Sequence, residues 1–173
     1  MHTLVIGRTG SGKSHLARKL AQQSRKQGRR VVLYDPLGNA FPCDQRTASG
    51  PQLMDMLKAE RDCSVFVDEA PTICTNLGAH KPFEWLATMS RHMGHRVYFL
   101  AQDATQLAPI YRRNCTHLYL FSVAPASAEL LAKEFGDDAL LKASTLRARW
   151  FFYKTPFGPK GEPFIARLCS PVS

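Results

Sequence analysis

The chain has 173 residues, 45% of them hydrophobic and 21% charged, and a formal net charge of +9. That balance excludes a disordered chain and suffices for a buried core, while no apolar run approaches the roughly 18–20 residues that span a bilayer. The charge is concentrated: residues 1–40 hold eight Lys or Arg against one acid, Asp35, which fits either a polyanionic partner or a solvated basic helix face.

Thr3–Ile6 is a short apolar run followed at once by glycine, the pattern of a buried strand. Leu16, Ala17, Leu20 and Ala21 then fall at helical spacing, and the helix stops near Gly28. Arg30–Tyr34 is a second strand, closed by Asp35-Pro36, and a loop follows through Gly50. Ser49 and Pro51 open a helix that runs to about Glu60. Cys63–Val67 is a third strand, and residues 71–82 read as a loop. Pro82 opens a helix that turns Trp85, Leu86 and Met89 inward and stops at Gly94. Arg96–Ala101 and His117–Val123 are the fourth and fifth strands, with a helix at Ser127–Phe135 after them. Trp150–Tyr153 and Phe164–Ala166, separated by Pro- and Gly-rich residues, suggest a terminal hairpin; its aromatic side chains serve the core or dock a partner, and since strand alternation turns half of them inward the core is expected. Strands alternating with helices imply an α/β fold with a mainly parallel sheet covered on both faces. One domain over residues 1–173 is expected, with a core at 1–135 and an extension at 136–173.

Cys43, Cys63, Cys74, Cys115 and Cys169 are scattered, without a C-x-x-C pair, and read as free thiols of a reducing compartment. His92 and His95 lack a second ligand pair at zinc-site spacing and read as surface residues at a helix end. The N-terminus enters an apolar run without the charged region and cleavage site of a signal peptide, so a cytoplasmic location is expected.

Gly7-Arg8-Thr9-Gly10-Ser11-Gly12-Lys13-Ser14 matches G-x-x-x-x-G-K-[ST] in full. Glycines allow a backbone whose successive amides point at phosphate oxygens. Lys13 stands where its ammonium reaches the β- and γ-phosphates of ATP, and the Ser14 hydroxyl is a ligand for Mg²⁺. Val65-Phe-Val67-Asp68-Glu69 has the form of a Walker B segment: Asp68 holds the magnesium through its water shell, and Glu69 orients or deprotonates the attacking water. Gln102, at the end of the fourth strand, is placed to contact the γ-phosphate and that water. The two motifs are expected to meet at adjacent strand tips around one metal–triphosphate.

Glu69 directly after Asp68, the additional strand at residues 30–34 between the two nucleotide motifs, and Gln102 together resemble the additional-strand, catalytic-glutamate division of P-loop NTPases, a three-layer fold. Asp35-Pro36, Arg91-His92, Ala101-Gln102-Asp103 and Pro109–Asn114 narrow the resemblance to the FtsK–HerA superfamily, and within it to the small DNA-packaging ATPases of tailless, membrane-containing viruses. It covers most of residues 1–135. The resemblance implies an ATPase that forms a homo-oligomeric ring, usually a hexamer, and pumps double-stranded DNA into a preformed capsid, in host cytoplasm or virion, with capsid-vertex or membrane-associated viral proteins as further partners. It also implies an arginine finger donated to the neighbouring subunit, for which Arg91 fits best and Arg112 and Arg113 are alternatives. For DNA contact, the loop at 75–81, with His80 and Lys81, and Arg112–Arg113 are the candidates.

Other readings stay open. A phage assembly or secretion ATPase related to zonula occludens toxin is the alternative inside the superfamily, weakened by the lack of a membrane anchor. A non-motor ATP-binding assembly protein and a small P-loop kinase are the alternatives outside it. Against the kinase stand the water-activating set Asp68, Glu69 and Gln102 and the lack of an Arg-rich lid insertion.

Overall fold

The computed structural model describes residues 1–38, 41–75, 81–155 and 164–167. Its central strand is β1 (Thr3–Ile6), in which Leu4, Val5 and Ile6 are fully buried. Continuous rather than alternating apolarity is what a strand covered on both faces requires. The others follow in chain order as β2 (Val31–Tyr34), β3 (Gln45–Thr47), β4 (Ser64–Val67), β5 (Arg96–Ala101), β6 (His117–Leu120), β7 (Trp150–Lys154) and β8 (Phe164–Arg167). They form one eight-stranded sheet in the order β3-β2-β4-β5-β1-β6-β7-β8. Pairings from β3 to β6 are parallel, and β7 and β8 add to the β6 edge as an antiparallel pair.

Helices cover the two faces. On one, α1 (Lys13–Lys26) lays Leu16, Ala17 and Ala21 over Val5, Leu33, Phe66 and Leu100. Phe66 stacks flat on Tyr98, with ring centroids 4.4 Å apart. On the other, α2 (Gly50–Ala59), α3 (Pro71–Cys74), α4 (Trp85–Thr88), α5 (Pro109–Arg113) and α6 (Pro125–Phe135) close a second cluster around Leu4, Ile6, Val65, Val97 and Phe99. The Ser49 hydroxyl caps α2 by accepting from the Gln52 amide, and Pro51 occupies its first turn.

Several local expectations change. Gln45–Thr47 is a strand, not part of a loop; its polar residues carry no apolar signal, and it pairs only with the outer edge of β2. The helix expected at 82–94 is broken into a 3-10 turn (Lys81–Phe83), α4 and a second 3-10 turn (Ser90–Met93). Thr88 and Ser90 hydroxyls donate to the Glu84 and Leu86 carbonyls, the local competition that disfavours a continuous helix. Met89 accordingly faces solvent, at 52% exposure, rather than the core. The loop expected from residue 71 begins with α3, and its residues 76–80 lie outside the described part. His95 is buried rather than on the surface: its Nδ1 accepts from the Cys63 amide, so its Nε2 donates to the Leu57 carbonyl. Cys43, Cys63, Cys74 and Cys115 are free thiols, and Cys169 lies outside the described residues. No helix among the described residues is long and apolar enough to cross a membrane.

Candidate active site

The strand order decides where the two nucleotide motifs meet. β5 lies between β1 and β4, so the P-loop and Asp68-Glu69 leave the same sheet edge one strand apart, not from adjacent tips. The intervening strand ends in Gln102, which therefore stands between them.

The P-loop takes its shape from three glycines. Gly10 and Gly12 hold φ of 77° and 113°, where a side chain is strained. A Cβ on Gly7 would lie 2.5 Å from Phe121 Cβ, so only glycine lets the loop leave β1 this close to the sheet. α1 begins directly after Gly12 with no side-chain cap, leaving first-turn amides for an anion. The Lys13 ammonium is folded over the loop, donating to the Gly7 carbonyl at 2.5 Å and to the Arg8 carbonyl at 3.2 Å. Burial lowers the Lys13 pKa, while the charges of Glu69 and Asp68 pull it back up. Lysine and carboxylates thus share one electrostatic environment. Ser14 is exposed at the first turn, and Asp68 is half-buried at the tip of β4. Loop, hydroxyl and carboxylate fit a magnesium–triphosphate in chemistry, and the carboxylates stand near enough to the loop for Lys13 to feel their charge.

Glu69 leaves β4 in the left-handed region, at φ 47°. Its carboxylate accepts from the Gln102 side-chain amide at 3.1 Å, and the Gln102 oxygen accepts from the Thr9 hydroxyl at 3.0 Å. One hydrogen-bonded path, Thr9–Gln102–Glu69, therefore joins the three strand tips. It borders a cleft of about 440 Å³ lined by Arg8, Thr9, Gln102, Asp103, Gln106 and Ala124. Asp103 anchors the floor of that cleft by accepting from the Thr105 amide at 2.8 Å and from the Ser127 hydroxyl. Burial opposes its charge, but these hydrogen bonds win and hold the carboxyl below the usual aspartate range.

Two features were not legible in the sequence. Thr9 sits in a variable P-loop position, and nothing in the motif ties it to Gln102. The turn before β7 lies on the P-loop: the Arg149 amide donates to the Ser11 carbonyl at 2.9 Å, with Arg149 itself at φ 68°.

The arginine candidates separate. Arg91 is exposed in the turn before β5, at the edge where the strands start, and its charge is felt by His2 and the amino terminus. It does not reach the P-loop of its own chain. Arg112 is buried, and its guanidinium binds both oxygens of Glu134 at 2.9–3.1 Å and the Ala104 and Leu107 carbonyls. So bound, it is a structural arginine and not a finger or DNA contact; Arg113 beside it is exposed. Lys81 is exposed, and His80 lies outside the described residues.

The family model for the central domain of the helicase HerA matches residues 1–52. No curated protein matches the sequence. Among solved structures, the genome-packaging NTPase B204 of Sulfolobus turreted icosahedral virus 2, in complex with AMPPCP, superposes with a TM-score of 0.79 at 16% identity, over 97% of each chain. The pCW3 conjugation coupling protein TcpA, with ATPγS, gives 0.75 at 17% identity over 96% of this chain and 59% of that one. The cytoplasmic domain of the Thermomonospora curvata type VII secretion ATPase EccC gives 0.70 at 14% identity, over 96% of this chain and 23% of its own.

Proposed function

We propose that this chain is a P-loop ATPase of the FtsK–HerA superfamily and an ATP-hydrolysing motor that translocates duplex DNA, with viral genome packaging as its setting; the family model over residues 1–52 and the shared fold support that reading. The observation that carries the reading is the path Thr9–Gln102–Glu69, which ties a water-activating carboxylate to the phosphate loop through one amide.

Each group has a task set by its position. P-loop amides and the Lys13 ammonium bind and orient the triphosphate. Ser14 and Asp68 would hold Mg²⁺, which when bound neutralises charge on the phosphate oxygens. Gln102, already bonded to the P-loop and to Glu69, exchanges its partners for the γ-phosphate and the attacking water. Glu69, released by that exchange, accepts the proton of the water. Arg91, which cannot serve its own chain, acts on the nucleotide of a neighbour in a ring. An arginine finger can be worth ~10³-fold or more in turnover. Changing Arg91 to Ala should therefore leave ATP binding intact and abolish turnover in the assembled form; full hydrolysis by that variant would end the assignment.

The test of the function is ATP turnover with and without duplex DNA, alongside the oligomer mass. Turnover that rises with duplex in a ring-sized assembly supports the motor. Slow turnover indifferent to DNA would favour the assembly-protein reading, and phosphoryl transfer to a small acceptor the kinase.

A further inference from the structure

The tips of several parallel strands carry carboxylates, while arginines gather at their starts. β2 and β4 end in Asp35 and Asp68-Glu69, and Asp103 follows β5. At the other edge four of the six parallel strands have arginine at or shortly before their start: Arg29-Arg30 before β2, Arg61 before β4, Arg96 as the first residue of β5, and the exposed Arg113 before β6. The register brings them side by side. The Ser64 amide donates to the Arg30 carbonyl at 2.8 Å, and the Arg96 amide to the Cys63 carbonyl at 2.9 Å. The Arg29 guanidinium passes across the start of β4 to the Gly94 carbonyl at 2.6 Å.

Carboxylates compensate this edge only partly. Arg30 pairs with Glu60 at 2.5 Å and Arg25 with Asp44 at 3.0 Å, while Arg29 lies 3.9 Å from Asp62. Lys26, Arg61 and Arg113 have no side-chain partner among the described residues, and all three are exposed. Mutual repulsion is already felt: after burial, the charges of Arg96, Arg91 and Arg29 depress the amino terminus, and the charge of Arg96 depresses Arg29. Like charges held together in this way are relieved by an anionic ligand.

Arg25, Arg29 and Arg30, with Asp44 as their one acidic neighbour there, line a cleft of about 390 Å³. Along the same edge, the exposed Arg113 and Lys133 border a second cleft of about 710 Å³, whose Glu134 and Lys154 are already paired with Arg112 and Asp137. With strands about 4.8 Å apart, the run from β2 to β6 is about 19 Å long, enough for several phosphates in a row.

We propose that the strand-start edge, centred on Arg25, Lys26, Arg29, Arg30, Arg61 and Arg96, is the face that binds the phosphate backbone of duplex DNA, opposite the nucleotide edge. The inference rests on the motor reading. Hydrolysis at one edge then acts on DNA held at the other, with β1, β4 and β5 as the rigid connection between them.

The test is binding of a fluorescent duplex, measured by anisotropy at several salt concentrations, for the full chain and for Arg25→Gln/Lys26→Gln/Arg30→Gln. Removing three phosphate contacts should reduce the slope of log K against log salt by roughly 2–3 and raise Kd at least tenfold near physiological salt. DNA-free ATP turnover should be unchanged, and Arg25→Lys/Arg30→Lys should keep most of the binding. Should the triple variant fold poorly, Lys26→Glu/Arg61→Glu, which breaks no ion pair seen here, should give the same loss. Wild-type Kd and salt slope in a folded variant would overturn the face while leaving the motor intact, as would loss of binding confined to Lys81→Gln. Wild-type chain that turns over ATP yet binds no duplex would overturn the DNA reading and the face together.

Discussion

Glu69 leaves β4 through a left-handed backbone, and that turn carries its carboxylate to Gln102 instead of continuing the strand. A non-glycine residue in this region costs on the order of 1–3 kcal/mol, which the surrounding sheet must hold. The Gln102 amide spans the distance to Thr9, so the base is tied to the loop that binds the phosphate it must respond to. Changing Glu69 to Gln keeps the size and the capacity to bond Gln102 but removes the base; turnover should fall roughly 10²–10⁴-fold with ATP binding retained. Steady-state phosphate release and equilibrium binding measured on one preparation check this, and turnover within a few-fold of wild type would contradict it. Gln102→Ala removes an oriented donor and should lower turnover roughly 10²-fold. The motifs around Lys13 and Asp68 were legible because their chemistry needs fixed residue types at fixed spacing. Thr9 and Arg149 were not, since their partners lie 93 and 138 positions away in sequence and meet only through the sheet order.

Elements were legible where apolar periodicity was long and failed where it was short. β1, β2, β4, β5 and α1 announce themselves by continuous or 3.6-residue apolarity. β3 has three polar residues and exists only because β2 offers an unpaired edge. The segment from Lys81 to Gly94 looks helical by composition, yet its Thr88 and Ser90 hydroxyls bond the carbonyls four residues back, which bends and weakens a helix. Arg112 illustrates the same limit: exposed arginines and buried ones look alike in sequence. Its pairing with Glu134 fastens α5 to α6, and both partners are largely removed from water. Arg112→Ala should therefore cost about 3–5 kcal/mol of stability, because the carboxylate is left buried without a partner. Urea unfolding reads that loss directly; a variant as stable as wild type would show the pair to be dispensable.

Across the whole molecule, charge and titration are organised along the strand axis. At the strand-start edge, His2 is buried and accepts from the Val97 amide at 3.3 Å. Burial first, then the amino terminus and Arg91, push it down to about 4, and burial also lowers His95. A histidine that stays neutral when folded but charges near pH 6.5 when unfolded favours the unfolded chain in acid. Stability should thus be full above pH 6.5 and fall between pH 6.5 and 4, by on the order of 3 kcal/mol from His2 alone. Urea titrations at pH 7.5, 5.5 and 4.5 check it, and His2→Gln should flatten the decline.

At the opposite edge, β5 between β1 and β4 sets the spacing into which one triphosphate must fit. A crystal structure with Mg²⁺ and a non-hydrolysable ATP analogue tests that arrangement most directly. The phosphates should lie in the loop of residues 7–14, with Asp68 in the shell of the metal and Gln102 turned from Thr9 to the γ-phosphate. An analogue seated elsewhere, or Asp68 and Glu69 remote from its terminal phosphate, would contradict the account.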